Sequence, residues 1–339
     1  MDTDTAIHTA RSVLQRYDFA EAAALELVKY RENYVFRLTE PTGTSYAVRL
    51  HRAGYRTDAE IRTELAYLQA LGERGLHVPE IVPAVSGELV CLVDAEDGET
   101  FYLDVQKWLE NSSPLGDVAD AIAGTSALEP ETFRQLGVLT AELHHHTMTI
   151  GRTPGFRRSA WDAEGLAGAT PLWGNPLAVQ ELNHDQAALL TGALSKLKAE
   201  LEAIGTTPEV YGVIHADLTP ENVLVQDGRL IMIDFDDFGE GWHLFDLATT
   251  LFFFVPHPRY DEYRQALLQG YRSARPVPDS FFDAWDAVLL ARGTTYLGWA
   301  AARRGDETAE FVVEQVLPVV LGLAARYAPA ASVPAPATS

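Results

Sequence analysis

Residues Val213 to Leu247 read VIHADLTPENVLVQDGRLIMIDFDDFGEGWHLFDL, and the rest of the chain is best read outward from them. His215, Asp217 and Asn222 form a polar cluster directly after the apolar Ile214. Val223 to Val225 has strand character, and Asp227-Gly228 is a strong two-residue hairpin signal. Leu230 to Ile233 then reads as the return strand. A tight hairpin holds the outer ends of its strands close together. Asp217, Asn222 and Asp234 are therefore expected to converge.

Such a trio suits phosphoryl transfer from a nucleotide, which needs a base beside the attacking hydroxyl and oxygen ligands for magnesium. A carboxylate five residues before an amide, with a second carboxylate one hairpin later, follows the kinase order of catalytic-loop Asp, Asn and metal-binding Asp. Magnesium is a hard cation that takes oxygen donors, and Asn222 and Asp234 supply them.

HADLTPENVLV at 215–225, followed by IDFDD at 233–237, resembles the aminoglycoside phosphotransferase/choline kinase family. The resemblance implies an α+β, bilobal, protein-kinase-like fold with an antiparallel-sheet N-lobe and a mainly helical C-lobe. It implies ATP and Mg2+ as cofactors, Asp217 as the catalytic base, and Asn222 and Asp234 as metal ligands. His215 matches a residue that braces the loop. Asp246, in FDLA, matches a buried aspartate that supports it. Within the family, IDFDD resembles homoserine kinase-like and bacterial stress-response kinase-like members.

The 339 residues suit one two-lobed enzyme, and a 47% hydrophobic content suits a sizeable core. Asp and Glu outnumber Lys and Arg by 48 to 26, a net charge of −22. That argues against a nucleic-acid or anionic-membrane partner. It either draws cationic small molecules to the site or serves solubility alone. Cys91 is the sole cysteine, so no intrachain disulfide and no cysteine zinc cluster is expected. The first residues carry early acids and no long apolar core, unlike a signal peptide. The longest strongly apolar run, Leu251 to Val255, is too short to span a bilayer, and a cytoplasmic location is expected.

In chain order, Thr5 to Phe19 reads as a helix, and Leu25 to Leu38 as two strands around the turn KYREN at 29–33. That turn sits where a phosphate-covering loop would lie, but it lacks glycine. Asn33 is its side chain best suited to phosphate, against the plainer reading of a solvated hairpin. Thr44 to Leu50 is a third strand. Arg49 stands where the family has a phosphate-binding lysine, and arginine can fork onto phosphate oxygens, against the plainer reading of a surface strand arginine. Thr57 to Glu60 is a capping box opening a helix with the stripe Ile61, Leu65, Leu68 and Leu71. Glu64 lies one turn in and is expected either to pair with Arg49 or to face solvent. Two more strands, Glu88 to Val93 and Thr100 to Trp108, are joined by the turn 95–98. FYLDVQKWLEN resembles the family's adenine hinge, which points by position to Gln106, Lys107, Trp108 and Leu109. Trp108 stacks on the base or sits in the core.

The N-terminal nucleotide-binding lobe is expected over 1–110, the catalytic and acceptor-binding lobe over 111–328, and a disordered Pro- and Ala-rich tail over 329–339. Glu131 to Met148 reads as a helix ending in three histidines, taken as a favourably charged helix end. The irregular stretch Gly151 to Pro176 brings Arg157, Arg158, Trp161 and Trp173 to the cleft border or to ordinary surface packing. Helices are expected over Gln180 to Ile204, Leu247 to Val255, Tyr260 to Ser273, Ser280 to Arg304 and Thr308 to Tyr327. Tyr296 and Trp299 line an acceptor pocket or pack in the core. Asp236, Asp237 and Glu240 follow the metal ligand and would offer carboxylates to an acceptor ammonium, unless they only solvate the loop or, for Asp236, assist the metal.

The expected activity is ATP- and Mg-dependent transfer to a hydroxyl of a small amine-bearing molecule: an aminoglycoside, an amino alcohol or a hydroxy amino acid such as homoserine. A Ser/Thr protein kinase of the stress-response type ranks second. A nucleotide-binding pseudokinase ranks third, because the base and both metal ligands are intact. The choice of ATP over GTP and the oligomeric state have no signature in the sequence.

Overall fold

Alternating apolar residues build the N-terminal sheet of this computed structural model, which describes residues 3–30, 33–94 and 98–328. Helix α1 (Thr3–Leu14) comes first. It is followed by β1 (Ala24–Tyr30), β2 (Asn33–Thr39) and β3 (Ser45–His51), paired antiparallel in succession. Helix α2 (Asp58–Glu73) opens on the expected capping box: Thr57 accepts from Glu60 N, and the Glu60 carboxylate accepts from Thr57 N at 2.9 Å. Then come β4 (Ile81–Val82), β5 (Cys91–Asp94) and β6 (Thr100–Lys107). The strand order is β1-β2-β3-β6-β4, with β5 also on β6. Phe36, Leu38, Val48, Leu50, Leu103 and Val105 pack with Ala6, Ala10 and Val13 of α1 in one buried cluster. Arg31 and Glu32 of the KYREN turn, residues 95–97 of the β5–β6 turn and the 329–339 tail lie outside the described residues.

The chain continues through β7 (Ser112–Pro114), α3 (Val118–Ile122), α4 (Pro130–Ile150), β8 (Ala160–Trp161), α5 (Ala163–Ala167) and α6 (His184–Ile204). Next are β9 (Tyr211–Ile214), β10 (Val223–Gln226), β11 (Arg229–Met232) and β12 (Gly239–Trp242). Four helices close the described chain: α7 (His243–Phe252), α8 (Tyr260–Ala274), α9 (Trp285–Ala302) and α10 (Glu307–Tyr327). Helices α4 and α8 approach through glycine. A Cβ at Gly137 would strike the Leu267 carbonyl, and one at Gly270 the Arg134 carbonyl. By length and composition α10 is apolar enough to cross a membrane, contrary to the expectation that no segment would be. It packs on α9 and buries Val312, Val316, Val320 and Leu323, as a core helix does.

The chain divides into two units, and the division is not the single cut expected at residue 110. The first unit holds residues 1–115, 149–158 and 222–236; the second holds 116–148, 159–221 and the remainder from 237. The hairpin explains the crossing. β10 pairs with β11 and with β7, and Leu115 N donates to Val223 O at 2.8 Å, which ties 222–236 to the first unit. Asp227 (φ 51°) and Gly228 (φ 74°) both take left-handed backbone, as a two-residue I′ turn requires.

Candidate active site

In the second unit, β9 delivers His215, Ala216 and Asp217 at its end. Ala216 has φ 67°, a left-handed conformation that L side chains rarely adopt. Asp246, in the first turn of α7, holds it there. One of its oxygens accepts from Ala216 N at 2.7 Å and the other from His215 N at 2.9 Å. His215 Nδ1 in turn accepts from Asp217 N at 3.3 Å. Burial pushes the Asp246 carboxyl up, against the pull of His215 and the two backbone donors.

A polar stack stands behind Asp246. His144 Nε2 lies 3.1 Å from Asp246 Oδ2 and His144 Nδ1 lies 2.9 Å from Tyr271 Oη. Arg275 donates to Tyr271 Oη and to Glu209 O, each at 2.6 Å. This corrects the reading of the three histidines as a charged helix end. Helix α4 runs on to Ile150, and His144 is fully buried. Burial, with Arg275 nearby, holds its pKa well below the usual imidazole value. A neutral ring satisfies every bond of the stack: Nε2–H donates to Asp246, and Nδ1 accepts the tyrosine proton. His243 stacks on it at 4.5 Å and is held neutral by the same burial.

The Asp217 side chain keeps 23% exposure and is met by Arg292, which has none. Arg292, in α9, bonds Asp217 Oδ1, donates to Ala216 O at 3.1 Å and to Tyr296 Oη at 2.6 Å. Its guanidinium lies 4.6 Å from the Trp173 ring centre and 4.0 Å from that of Tyr296. Trp173 Nε1 donates to Asp237 Oδ1 at 3.3 Å, and Trp161 Nε1 to Asp237 O at 2.9 Å. Sequence reading missed Arg292. The available signal was a lone arginine amid the apolar run of α9, because a buried charge must have partners.

In the first unit, Asn222 and Asp234 flank the hairpin. Ile233 N donates to Asn222 O at 3.0 Å, which closes the strand ends. Asn222 is 6% exposed, while Asp234 is exposed and left-handed at φ 62°. Among the described residues no three His, Cys, Asp or Glu cluster as a metal site. An amide and a carboxylate oxygen still fit magnesium, which keeps several waters and takes one or two protein ligands plus substrate phosphates.

Arg49 of β3 is buried in a carboxylate clamp. Its Nη1 lies 2.8 Å from Glu64 Oε1 of α2, and its Nε lies 3.0 and 3.1 Å from the two Asp104 oxygens. Asp104 is its cross-strand partner on β6. His51 Nε2 lies 2.6 Å from Asp104 Oδ2. Burial would raise the Asp104 carboxyl, but Arg49 and His51 together hold it below its ordinary value. Asp104 and His51 escaped the sequence reading because only strand register brings them to Arg49.

Residues 25–285 match the phosphotransferase enzyme family. The chain belongs to that family. A microcompartment-associated aminopropanol kinase of known structure is 31% identical, with a TM-score of 0.82 over 95% of this chain and 97% of its own. The homoserine kinase of Sinorhizobium medicae (strain WSM419) is 28% identical over 267 residues, 78% of this chain and 73% of that one. An amicoumacin kinase solved with AMP-PNP, Ca2+ and Ami is 21% identical, with a TM-score of 0.74 over 95% of this chain and 94% of its own, a likeness of fold. This phosphotransferase therefore has the kinase-like α+β fold, acts as a small-molecule kinase, and takes an alcohol group as acceptor.

The other expected residues of the phosphotransferase have the following surroundings. Asp236, expected beside the acceptor, is 4% exposed and its carboxylate lies 3.6 Å from Arg56 Nε. Burial would raise that carboxyl, yet Arg56 and Arg158 hold it below its ordinary value. The Asp236 side chain is thus closed off from solvent and faces Arg56. Arg158 gathers the carbonyls of Phe235 and Asp236, a role the loop's composition did not reveal. Asp237 and Glu240 are half-buried, the latter on β12 between β8 and β9. The Trp299 ring is covered by the Arg303 guanidinium at 4.5 Å. In the hinge stretch Gln106 is buried, and Lys107 pairs with Glu80 at 2.7 Å. Lys107 N donates to Glu80 O and Trp108 N to Ser45 O. Arg37 covers the Trp108 ring at 5.0 Å, and Leu109 O accepts from Ser112 Oγ at 2.7 Å. Asn33 begins β2, 8% exposed, opposite His51.

Proposed function

We propose that this phosphotransferase moves the γ-phosphate of ATP, with magnesium, to a hydroxyl of a small amine-bearing molecule. The carrying observation is Asp217: a partly exposed carboxylate whose loop is held at the backbone by Asp246 and at the side chain by Arg292. Such restraint suits a group that must meet a hydroxyl in one orientation. Asp217 orients the acceptor and takes its proton as the acceptor oxygen bonds to phosphorus and the bond to the ADP oxygen breaks. Asn222 and Asp234 hold magnesium, which when bound neutralises charge on the transferring group. Arg49, steadied by Glu64 and Asp104, offers its remaining N–H groups to the phosphates.

In this reading residues 1–110 serve the nucleotide, with adenine against the backbone of Gln106 to Leu109 and Asn33 near the phosphates. Residues 111–328 serve catalysis and the acceptor. His215 and Asp246 support the base, and Asp237 and Glu240 serve the ammonium end, with Tyr296 linked to Asp237 through the ring of Trp173. The names of the similar aminopropanol kinase and homoserine kinase support an amine-bearing alcohol. A cytoplasmic location fits the use of ATP. Magnesium-dependent ATP consumption, measured over amino alcohols, hydroxy amino acids, aminoglycosides, neutral sugars and a generic protein, tests the reading. Transfer confined to amine-bearing alcohols supports it; transfer confined to neutral sugars or to protein serine rejects it.

A further inference from the structure

We infer that Arg292 is a positioning residue of the transfer step, fixing the Asp217 carboxylate and the Ala216 carbonyl on one guanidinium plane. The inference rests on the reading of Asp217 as the base. Helix α9 is buried along most of its length, and Arg292 is 0% exposed within it. Burying a charge is costly, and a well-packed apolar side chain of similar volume is often at least as stabilising. Stability therefore gives no reason for arginine here.

The geometry does. Nη1 grips the carbonyl of Ala216, the residue in left-handed backbone, and Nη2 grips Asp217 beside it. Nη2 also donates to Tyr296 Oη, one turn further along the same helix. Two hydrogen bonds to neighbouring residues restrict rotation of the guanidinium in its plane. The Trp173 and Tyr296 rings, at 4.6 and 4.0 Å, restrict its tilt. A lysine would present a point charge with rotatable donors and would lose its proton readily when buried; arginine does neither. In phosphoryl transfer, positioning supplies much of the rate, so a loosened carboxylate should cost turnover and not nucleotide binding.

The test uses the full chain with Arg292→Lys, Tyr296→Phe, Asp217→Asn and the Arg292→Lys/Asp217→Asn double variant. Turnover is measured on the acceptor found in the panel, Mg-ATP affinity by calorimetry, and folding by thermal melting. Arg292→Lys should lower kcat roughly a hundredfold, with Mg-ATP affinity held within about twofold. Tyr296→Phe, which keeps the ring against the guanidinium but removes the hydroxyl that accepts from Nη2, should lower kcat roughly fivefold at unchanged affinity. In the Asp217→Asn background Arg292→Lys should cost nothing further. Near-native kcat in folded Arg292→Lys, or an equal loss of Mg-ATP affinity and kcat, overturns the inference while leaving Asp217 as base. If Arg292→Lys does not fold, native kcat in Tyr296→Phe overturns it instead. Near-native turnover in Asp217→Asn overturns the reading of the base itself.

Discussion

Three residues of the central stretch hold left-handed backbone without being glycine: Asp227 in the hairpin turn, and Ala216 and Asp234 outside it. Each such residue costs about 1–3 kcal/mol and persists only where its surroundings over-determine it. For Ala216 those surroundings are visible: Asp246 takes its N–H and Arg292 its carbonyl. For Asp234 the closed strand ends before it, through Ile233 N and Asn222 O, are part of the cause. The exposed carboxylate that results suits a metal ligand. Asp234→Ala should thus weaken Mg-ATP binding as well as turnover, since it removes a direct oxygen donor. Calorimetry with Mg-ATP checks this, and unchanged affinity would move the metal away from the hairpin. Unlike the Asp227-Gly228 turn, Ala216 and Asp234 had no sequence signal for left-handed backbone, because no turn dipeptide marks them and their restraints come from distant residues.

At the scale of elements, one buried cluster joins α2, β3 and β6: Glu64, Arg49 and Asp104. Arg49→Ala and Glu64→Ala should each raise the Michaelis constant for ATP. Because the residues pair at 2.8 Å, the double variant should be about as impaired as the worse single one. Fully additive losses would show that the pair does not act as a unit. Asp104 adds a pH dependence. Folding lowers its pKa below the ordinary 3.8, so its ionised form stabilises the fold above that value. The contribution is lost as pH falls through the lower, folded value. Asp104→Asn should therefore flatten the fall in melting temperature between about pH 5 and pH 2. An unchanged acid limb would locate the acid sensitivity in other carboxylates. Helix α2 was legible from its capping box and stripe, and Glu64 from its place one turn in. Asp104 was not, because its meeting with Arg49 depends on the β3–β6 register.

At the scale of the whole molecule, the net charge of −22 acts on any cationic acceptor. Exposed attraction is screened over about 8–10 Å at ordinary ionic strength, so added salt should raise the Michaelis constant of an amine-bearing acceptor. The constant for a neutral alcohol of the same size should stay flat, and equal salt effects on both would assign the charge to solubility. Through its family resemblance the sequence implied the kinase-like α+β class; by itself it determined the hairpin and the order of Asp217, Asn222 and Asp234. These are local facts: a turn dipeptide, strand alternation and short spacing act within a few residues, whatever the rest of the chain does. Tertiary structure alone decided which charges meet. It set Arg292 on Asp217, turned Asp236 onto Arg56 and made His144 a neutral strut under Asp246. Those partners lie up to 180 positions apart in the sequence, and a buried charge or imidazole takes its role from whichever neighbour packing brings, not from its place in the sequence.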